Sequence, residues 1–388
     1  MNWFGIDFGT TNTSACDALT GRTFGDGLGA PLPSIIAIDK VSDSVLTGRD
    51  AWERRFELKD RGDYEVIRSV KPCLDTFTSK QGHRGRIWEV VDVVALVLET
   101  LKKNIATASG SDVTTATFGV PVDLTPSARR TLRAAALQAG IAVSTFVKES
   151  TAAIISEWAN VKGSRNVAVF DWGGGTLDVS VTQMQGSKIA ELATKGVPVA
   201  GNVIDEEIAQ FVHGRIMMKR AVSKDLTEIS PPVYNDLLVR CENAKCTLSE
   251  VDIAHFSIFQ YDRQDEVVEL TREELRPLLA PFVSRALDTL FSAIREACLP
   301  LELIDRIIIT GGCSKLWLFR EALLSDPRLS ARVVWAREPE WAVARGAAVL
   351  QKDPGAFELS ESIAIELCDG AYLDLFAAGT MRANPTSR

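Results

Sequence analysis

Long apolar runs, basic clusters and CxxC motifs are all missing from this chain, and each absence removes a class of function. The most apolar stretch, residues 90–101, holds Asp92 and Glu99 and is too short for a bilayer, which takes roughly 20 apolar residues; it reads as a buried amphipathic helix. Met1-Asn2-Trp3-Phe4-Gly5-Ile6-Asp7 has neither a basic start nor an apolar core before its first acid, so it does not read as a signal peptide. Lys and Arg number 43 against 51 Asp and Glu, a net charge of -8 with no basic cluster. Such a surface repels a phosphate backbone, and no nucleic-acid partner and no membrane are expected. The seven cysteines are scattered, which suits free thiols in a reducing, cytoplasmic setting. Cys241 and Cys246 lie close in sequence, but His83, His213 and His255 are too far along the chain to complete a metal set.

What is present is a large α/β chain with an internal echo. With 46% hydrophobic residues, 388 positions suffice for two or three domains. Phe4-Gly5-Ile6-Asp7-Phe8-Gly9-Thr10-Thr11 and Val169-Phe170-Asp171-Trp172-Gly173-Gly174-Gly175-Thr176 each run apolar strand, Asp, glycine turn, threonine. The second continues through Leu177-Asp178-Val179-Ser180-Val181 at the strand period of two, which puts its glycines at a hairpin turn. One such element opening each half implies a duplication. Between them, Thr125 is placed as a helix N-cap, Pro126 at the first helical position and Gly140 as the stop. Residues 306–310 form an apolar strand ending in Gly311-Gly312, where ligands of open α/β sheets bind. Asp353-Pro354-Gly355 marks a boundary, and beyond it Ile363, Ile365 and Leu367 alternate, Asp369-Gly370 supplies a turn, and Leu373 and Leu375 alternate again. One hairpin is marginal alone and is too little sheet to enclose a peptide, so this chain by itself is not expected to trap unfolded polypeptide.

Triphosphate hydrolysis needs close backbone donors, hydroxyls, a cation near the moving phosphoryl group and a metal held by carboxylates. Gly9, Gly173, Gly174, Gly175, Gly311 and Gly312 let backbone approach phosphate without a Cβ in the way. Thr10, Thr11 and Thr176 add hydroxyls. Asp7 and Asp171, ending their strands toward one cleft, could hold Mg²⁺ through its water shell, because that ion dehydrates reluctantly; Asp178 adds to the ring. On a helix through residues 242–249, Leu237, Cys241, Ala244 and Leu248 share one face while Glu242, Lys245 and Ser249 share another. That polar face is either a contact to a ribose and purine edge or a solvated face with an i,i+3 ion pair.

These residues resemble the seventy-kilodalton heat-shock chaperone (DnaK-type) family, in its nucleotide-binding ATPase domain. The match runs from Gly5-Ile6-Asp7-Phe8-Gly9-Thr10-Thr11-Asn12-Thr13 through Phe170-Asp171-Trp172-Gly173-Gly174-Gly175-Thr176-Leu177-Asp178-Val179-Ser180. It includes Val120-Pro121 with Arg129, Glu149-Ser150-Thr151-Ala152-Ala153, Cys241-Glu242-Asn243-Ala244-Lys245, Gly311-Gly312 and Gly346-Ala347-Ala348. The resemblance implies a two-lobed, actin-like ATPase fold built from duplicated ribonuclease-H-like domains. Lobe I would cover 1–161 and lobe II 162–351; a linker and truncated β-hairpin would cover 352–388. It implies Lys71 beside the γ-phosphate, Glu149 and Asp171 acting on the attacking water and the metal, Asp7 in the metal shell, and Thr10 and Thr176 on phosphate. Glu242, Lys245 and Ser249 would meet the adenosine, with Thr11, Asn12, Gly201, Cys313, Lys315 and Glu340 also in the nucleotide site. Pro121 and Arg129 match the pair that relays nucleotide state between lobes.

Departures accompany the match. Cys313 stands for the family's serine after the glycine pair and Lys315 for its arginine. Cys246 stands for the arginine that stacks on adenine, Ser150 for the proline after the glutamate, and Ala200-Gly201-Asn202-Val203 for the paired glycines. Ala356-Phe357-Glu358-Leu359 matches the apolar interdomain linker poorly. The expected function is a slow ATPase, ATP and water to ADP and phosphate, whose Mg-ATP cycle closes the lobes and gates a protein partner or client, with a co-chaperone or exchange factor as further partner. The alternative is an actin-like filament subunit, disfavoured by Thr10-Thr11-Asn12 and Lys71; a sugar or acetate kinase lacks any acceptor pocket in the sequence.

Overall fold

The structure, a computed structural model, describes residues 3–76, 79–82, 86–186, 188–352, 362–368, 371–377 and 380. The expected boundary at Asp353-Pro354-Gly355, the linker Ala356-Phe357-Glu358-Leu359, the turn Asp369-Gly370, residues 381–388 and His83 lie outside these.

Alternation along the first strand, Trp3–Phe8, sets the site. Ile6 and Phe8 are fully buried while Asp7 between them faces the other way. The strand runs parallel to Thr115–Val120, itself parallel to Ala142–Lys148, and antiparallel to Asn12–Asp17, which pairs with Thr23–Phe24 and Leu32–Pro33. A second sheet repeats this arrangement. Asn166–Trp172 is parallel to Arg306–Thr310, which is parallel to Val333–Trp335, and antiparallel to Leu177–Gln185, which pairs with Lys188–Val197. Phe170 and Trp172 point into the core and Asp171 away from it. Their rings meet Phe319 with centroids 4.9 and 5.0 Å apart, and all three side chains are fully buried. Truncating one such ring to alanine costs about 3–5 kcal/mol. This mixed α/β arrangement fits the actin-like ATPase fold expected from the sequence.

The helices form where the sequence places them. Thr125 accepts from the Ala128 N–H at 3.0 Å and caps Pro126–Gln138, and the apolar stretch at 90–101 lies in the longer helix Val90–Ser109, closed by Gly110 with φ 69°. One boundary differs. The helix Pro231–Thr247 stops before Ser249: Leu248 still bonds back to the Ala244 carbonyl, but the Ser249 N–H bonds to the Cys246 carbonyl in a tighter turn.

Two helices tie the sheets together. Ala342–Lys352 lies on Trp3–Phe8 so closely that a Cβ on Gly5 would sit 2.1 Å from the Ala348 nitrogen. The same helix crosses Glu149–Ser156 at Gly346, where a Cβ would sit 1.8 Å from the Ala152 carbonyl. Ala153 and Ile154 of Glu149–Ser156 pack in turn with Val167, Val169 and Ile308 of the second sheet. Farther along, Ile363–Glu366 and Tyr372–Phe376 pair antiparallel, with Ile365, Leu373 and Leu375 exposed. Among the described residues no helix is long and apolar enough to cross a membrane.

Candidate nucleotide site

Between the two sheets lies a cleft of about 680 Å³. Its floor is made by the glycine turns of the two echoing elements, which meet face to face: a Cβ on Gly174 would lie 2.9 Å from the Thr11 side chain, and one on Gly175 2.8 Å from the Thr11 hydroxyl. The Gly173 N–H bonds to the Thr176 carbonyl at 2.9 Å and closes the second turn. At Gly311 φ is 81°, and a Cβ would fall 2.4 Å from an Asp171 carboxylate oxygen, so both backbone conformation and space demand glycine there.

Charge is concentrated at this end. Lys71 donates to Glu149 at 2.6 Å. Burial pushes the Asp7 carboxyl up to about 7, with Glu149 adding and Lys71 opposing. Asp171 is driven well above the usual carboxylate range by burial and by the negative charges of Glu149, Asp7 and Asp178. Asp178 rises too, through burial and then Glu149, although a hydrogen bond from Thr176 works the other way. Burial opposes the Lys71 ammonium, but Glu149, Asp7 and Asp178 outweigh it and hold its pKa above the ordinary value. One lysine thus serves four carboxylates.

At the other end of the cleft opposite charges are paired, although burial still raises Asp205 to about 7. Lys245 sits 2.7 and 2.9 Å from the two Asp205 oxygens and 3.3 Å from the Gly201 carbonyl. Burial works against this ammonium, and Asp205 more than compensates. Lys315 pairs with Glu340 at 2.9 Å. The Trp52 indole donates to Glu242 at 3.4 Å across the cleft, and the Arg55 guanidinium lies 3.9 Å over the Trp52 ring. Cys313 is buried, its thiol pushed up to about 12 by burial, and burial raises Cys246 as well.

The sequence matches the profile of the Hsp70 protein family over residues 66–353, well over half its length. The chain belongs to the Hsp70 family. Similar proteins include chaperone protein DnaK 3 of Synechococcus sp., 27% identical over 89% of this chain and 57% of the relative. Chaperone protein DnaK of Methanothermobacter thermautotrophicus is 26% identical over 89% and 58%, and a heat shock cognate HSP70 protein of Trypanosoma brucei brucei 29% identical over 80% and 45%. The chain spans about half the length of these relatives.

The cleft of this Hsp70-family chain gathers the residues singled out in the sequence. Asp7, Gly9, Thr10, Thr11, Asn12, Lys71, Glu149, Asp171 and Gly173 to Thr176 line the charged end. Gly201, Glu242, Lys245, Gly311, Gly312, Cys313, Lys315 and Glu340 line the rest. Ser249 is not in the lining, and its hydroxyl donates to the Lys245 carbonyl at 3.2 Å. Sequence reasoning did not pick out Trp52, Asp123 or Asp205, which also line the cleft. Asp205 was findable: it lies four residues after Gly201 on the helix Gly201–Arg220, hence on the same face. Trp52 had no such signal, because its neighbour Glu242 is 190 residues away. Among the described residues no group of three or more His, Cys, Asp or Glu is placed to ligate a metal directly.

Proposed function

We propose that this chain binds Mg-ATP in the cleft between a lobe of residues 1–161 and a lobe of 162–351, duplicated ribonuclease-H-like domains, and hydrolyses it to ADP and phosphate. The observation that carries this reading is the charged floor: aspartates raised by burial and by neighbouring negative charge, one lysine, and two glycine turns presenting backbone from opposite sides. Such a floor is frustrated by itself and is relieved by a hydrated divalent cation and a polyphosphate. The all-oxygen donors suit Mg²⁺, an ion that dehydrates reluctantly and would be held through its waters, with Asp7 and Asp171 accepting from them. Mg²⁺ would supply charge neutralisation on the phosphates.

Glu149, held 2.6 Å from Lys71, would accept a proton from the attacking water. Lys71 stabilises the charge growing on the phosphoryl group. Thr10, Thr176 and the turn amides orient phosphate oxygens. Glu242 and Lys245 face the ribose, and Cys246 leaves the base without the arginine that the family stacks on it. Closure of the lobes about the Gly346 crossing would gate a protein partner or client, with Pro121 and Arg129 passing the signal. The family match does not favour the filament alternative. Titration calorimetry with Mg-ATP and Mg-ADP tests the reading: binding of both is expected, and no heat from either at millimolar concentration overturns it.

A further inference from the structure

Glu149 opens its helix between two residues that a single distant carboxylate grips. Glu191, on the strand Lys188–Val197 of the second sheet, lies 3.2 Å from the Lys148 ammonium and accepts from the Ser150 hydroxyl at 3.1 Å. It also accepts from Thr194 at 3.1 Å, and Thr194 shares a 3.2 Å hydrogen bond with Ser180, which alternation puts on the face of Asp178. The Glu191 side chain is 8% exposed, as a carboxylate with several charge-assisted partners tolerates. It reaches them because the ladder slips there: Thr182 pairs with Glu191 but Val181 with Ala193, leaving Leu192 as an extra residue. Bulges of this kind re-aim a side chain.

We infer that Glu191 is a positioning residue for Glu149, resting on the reading of Glu149 as the group that accepts the proton from water. Lys71 holds the head of the Glu149 side chain, and Glu191 holds its backbone through the residues on either side. Neither hold alone fixes the carboxylate: a glutamate has three rotatable bonds, and a helix that begins at Glu149 leaves its first turn without intrahelical N–H partners. The grip also crosses between sheets, since Lys148 ends a strand of the first sheet and Glu191 belongs to the second. It therefore sets the distance from Glu149 to Asp171 and Asp178. The hydroxyl at Ser150 supplies one of the two holds and the Lys148 ammonium the other.

The test uses Glu191→Gln, which keeps an acceptor for Ser150 and loses the charge facing Lys148, and Ser150→Ala, which removes only the hydroxyl. Both are compared with wild type in single-turnover ATP hydrolysis, ATP affinity and amide hydrogen exchange over 149–154 in the nucleotide-free protein. The expected result is a loss of turnover on the order of 10-fold for Glu191→Gln and less for Ser150→Ala, with ATP affinity unchanged and faster exchange confined to that segment. Wild-type turnover together with wild-type exchange in both variants overturns the inference. A wild-type protein without turnover counts against the ATPase reading instead, and the exchange comparison then decides the grip by itself.

Discussion

The two ends of the cleft handle charge in opposite ways. At the end with the two glycine turns, Asp7, Asp171, Asp178 and Glu149 converge on Lys71, and burial together with the neighbouring negative charges raises the pKa values of the three aspartates. At the opposite end Lys245 keeps Asp205 close and Lys315 keeps Glu340, although burial, with Glu242 adding, still raises Asp205 to about 7 against the pull of Lys245. The difference is one of number: several carboxylates share one lysine at the first end, whereas each lysine at the second has a carboxylate of its own, so added positive charge relieves the first end more than the second.

The comparison is broken most sharply at Lys245. Lys245→Met leaves Asp205 buried and unpaired, and a loss of about 3–5 kcal/mol is expected, read by urea unfolding of the nucleotide-free protein. A loss under 1 kcal/mol would mean that the Lys245–Asp205 pair contributes no more than an exposed one.

At the opposite end, Lys71→Ala should slow single-turnover hydrolysis by about two to three decades, roughly 3–4 kcal/mol of transition-state stabilisation, with ATP affinity little changed. Unchanged hydrolysis would remove Lys71 from the site.

The frustration of the floor has a pH signature of definite sign. Burial raises Asp7 from 3.8 to about 7, so the protonated form is the one folding favours. That contribution is complete below pH 3.8 and is lost as pH rises through about 7. Unfolding of the nucleotide-free protein should show stability falling over this window, and Asp7→Asn should flatten the fall in part, since burial raises Asp205 to about 7 as well. Mg²⁺ with nucleotide should reduce it, since a cation favours the charged carboxylate. A flat profile in wild type would show that water already compensates the floor.

The smallest effect concerns the base itself. Cys246→Arg should restore a stacking cation, worth about 0.5–1 kcal/mol at an exposed site, and tighten ATP binding roughly 2- to 5-fold. No change would place the base beyond reach of this position.

Local sequence determined the elements that bear the site. Alternation in Phe4-Gly5-Ile6-Asp7-Phe8 and Phe170-Asp171-Trp172 put apolar side chains into cores and aspartates toward the cleft, and the glycines after them fixed the turns, because these depend on neighbours along the chain. Thr125 and Gly140 marked helix ends for the same reason, whereas the tighter turn that ends the helix before Ser249 had no such marker. What only the tertiary structure decided are the meetings of distant segments: Lys71 with Glu149, Asp205 with Lys245, Trp52 with Glu242, and Glu191 with Lys148 and Ser150. No periodicity announces such pairs, since their separation reflects how two sheets and two crossing helices pack. The raised carboxylates follow from the same packing, because an aspartate's pKa depends on what is folded around it and on how much water is left.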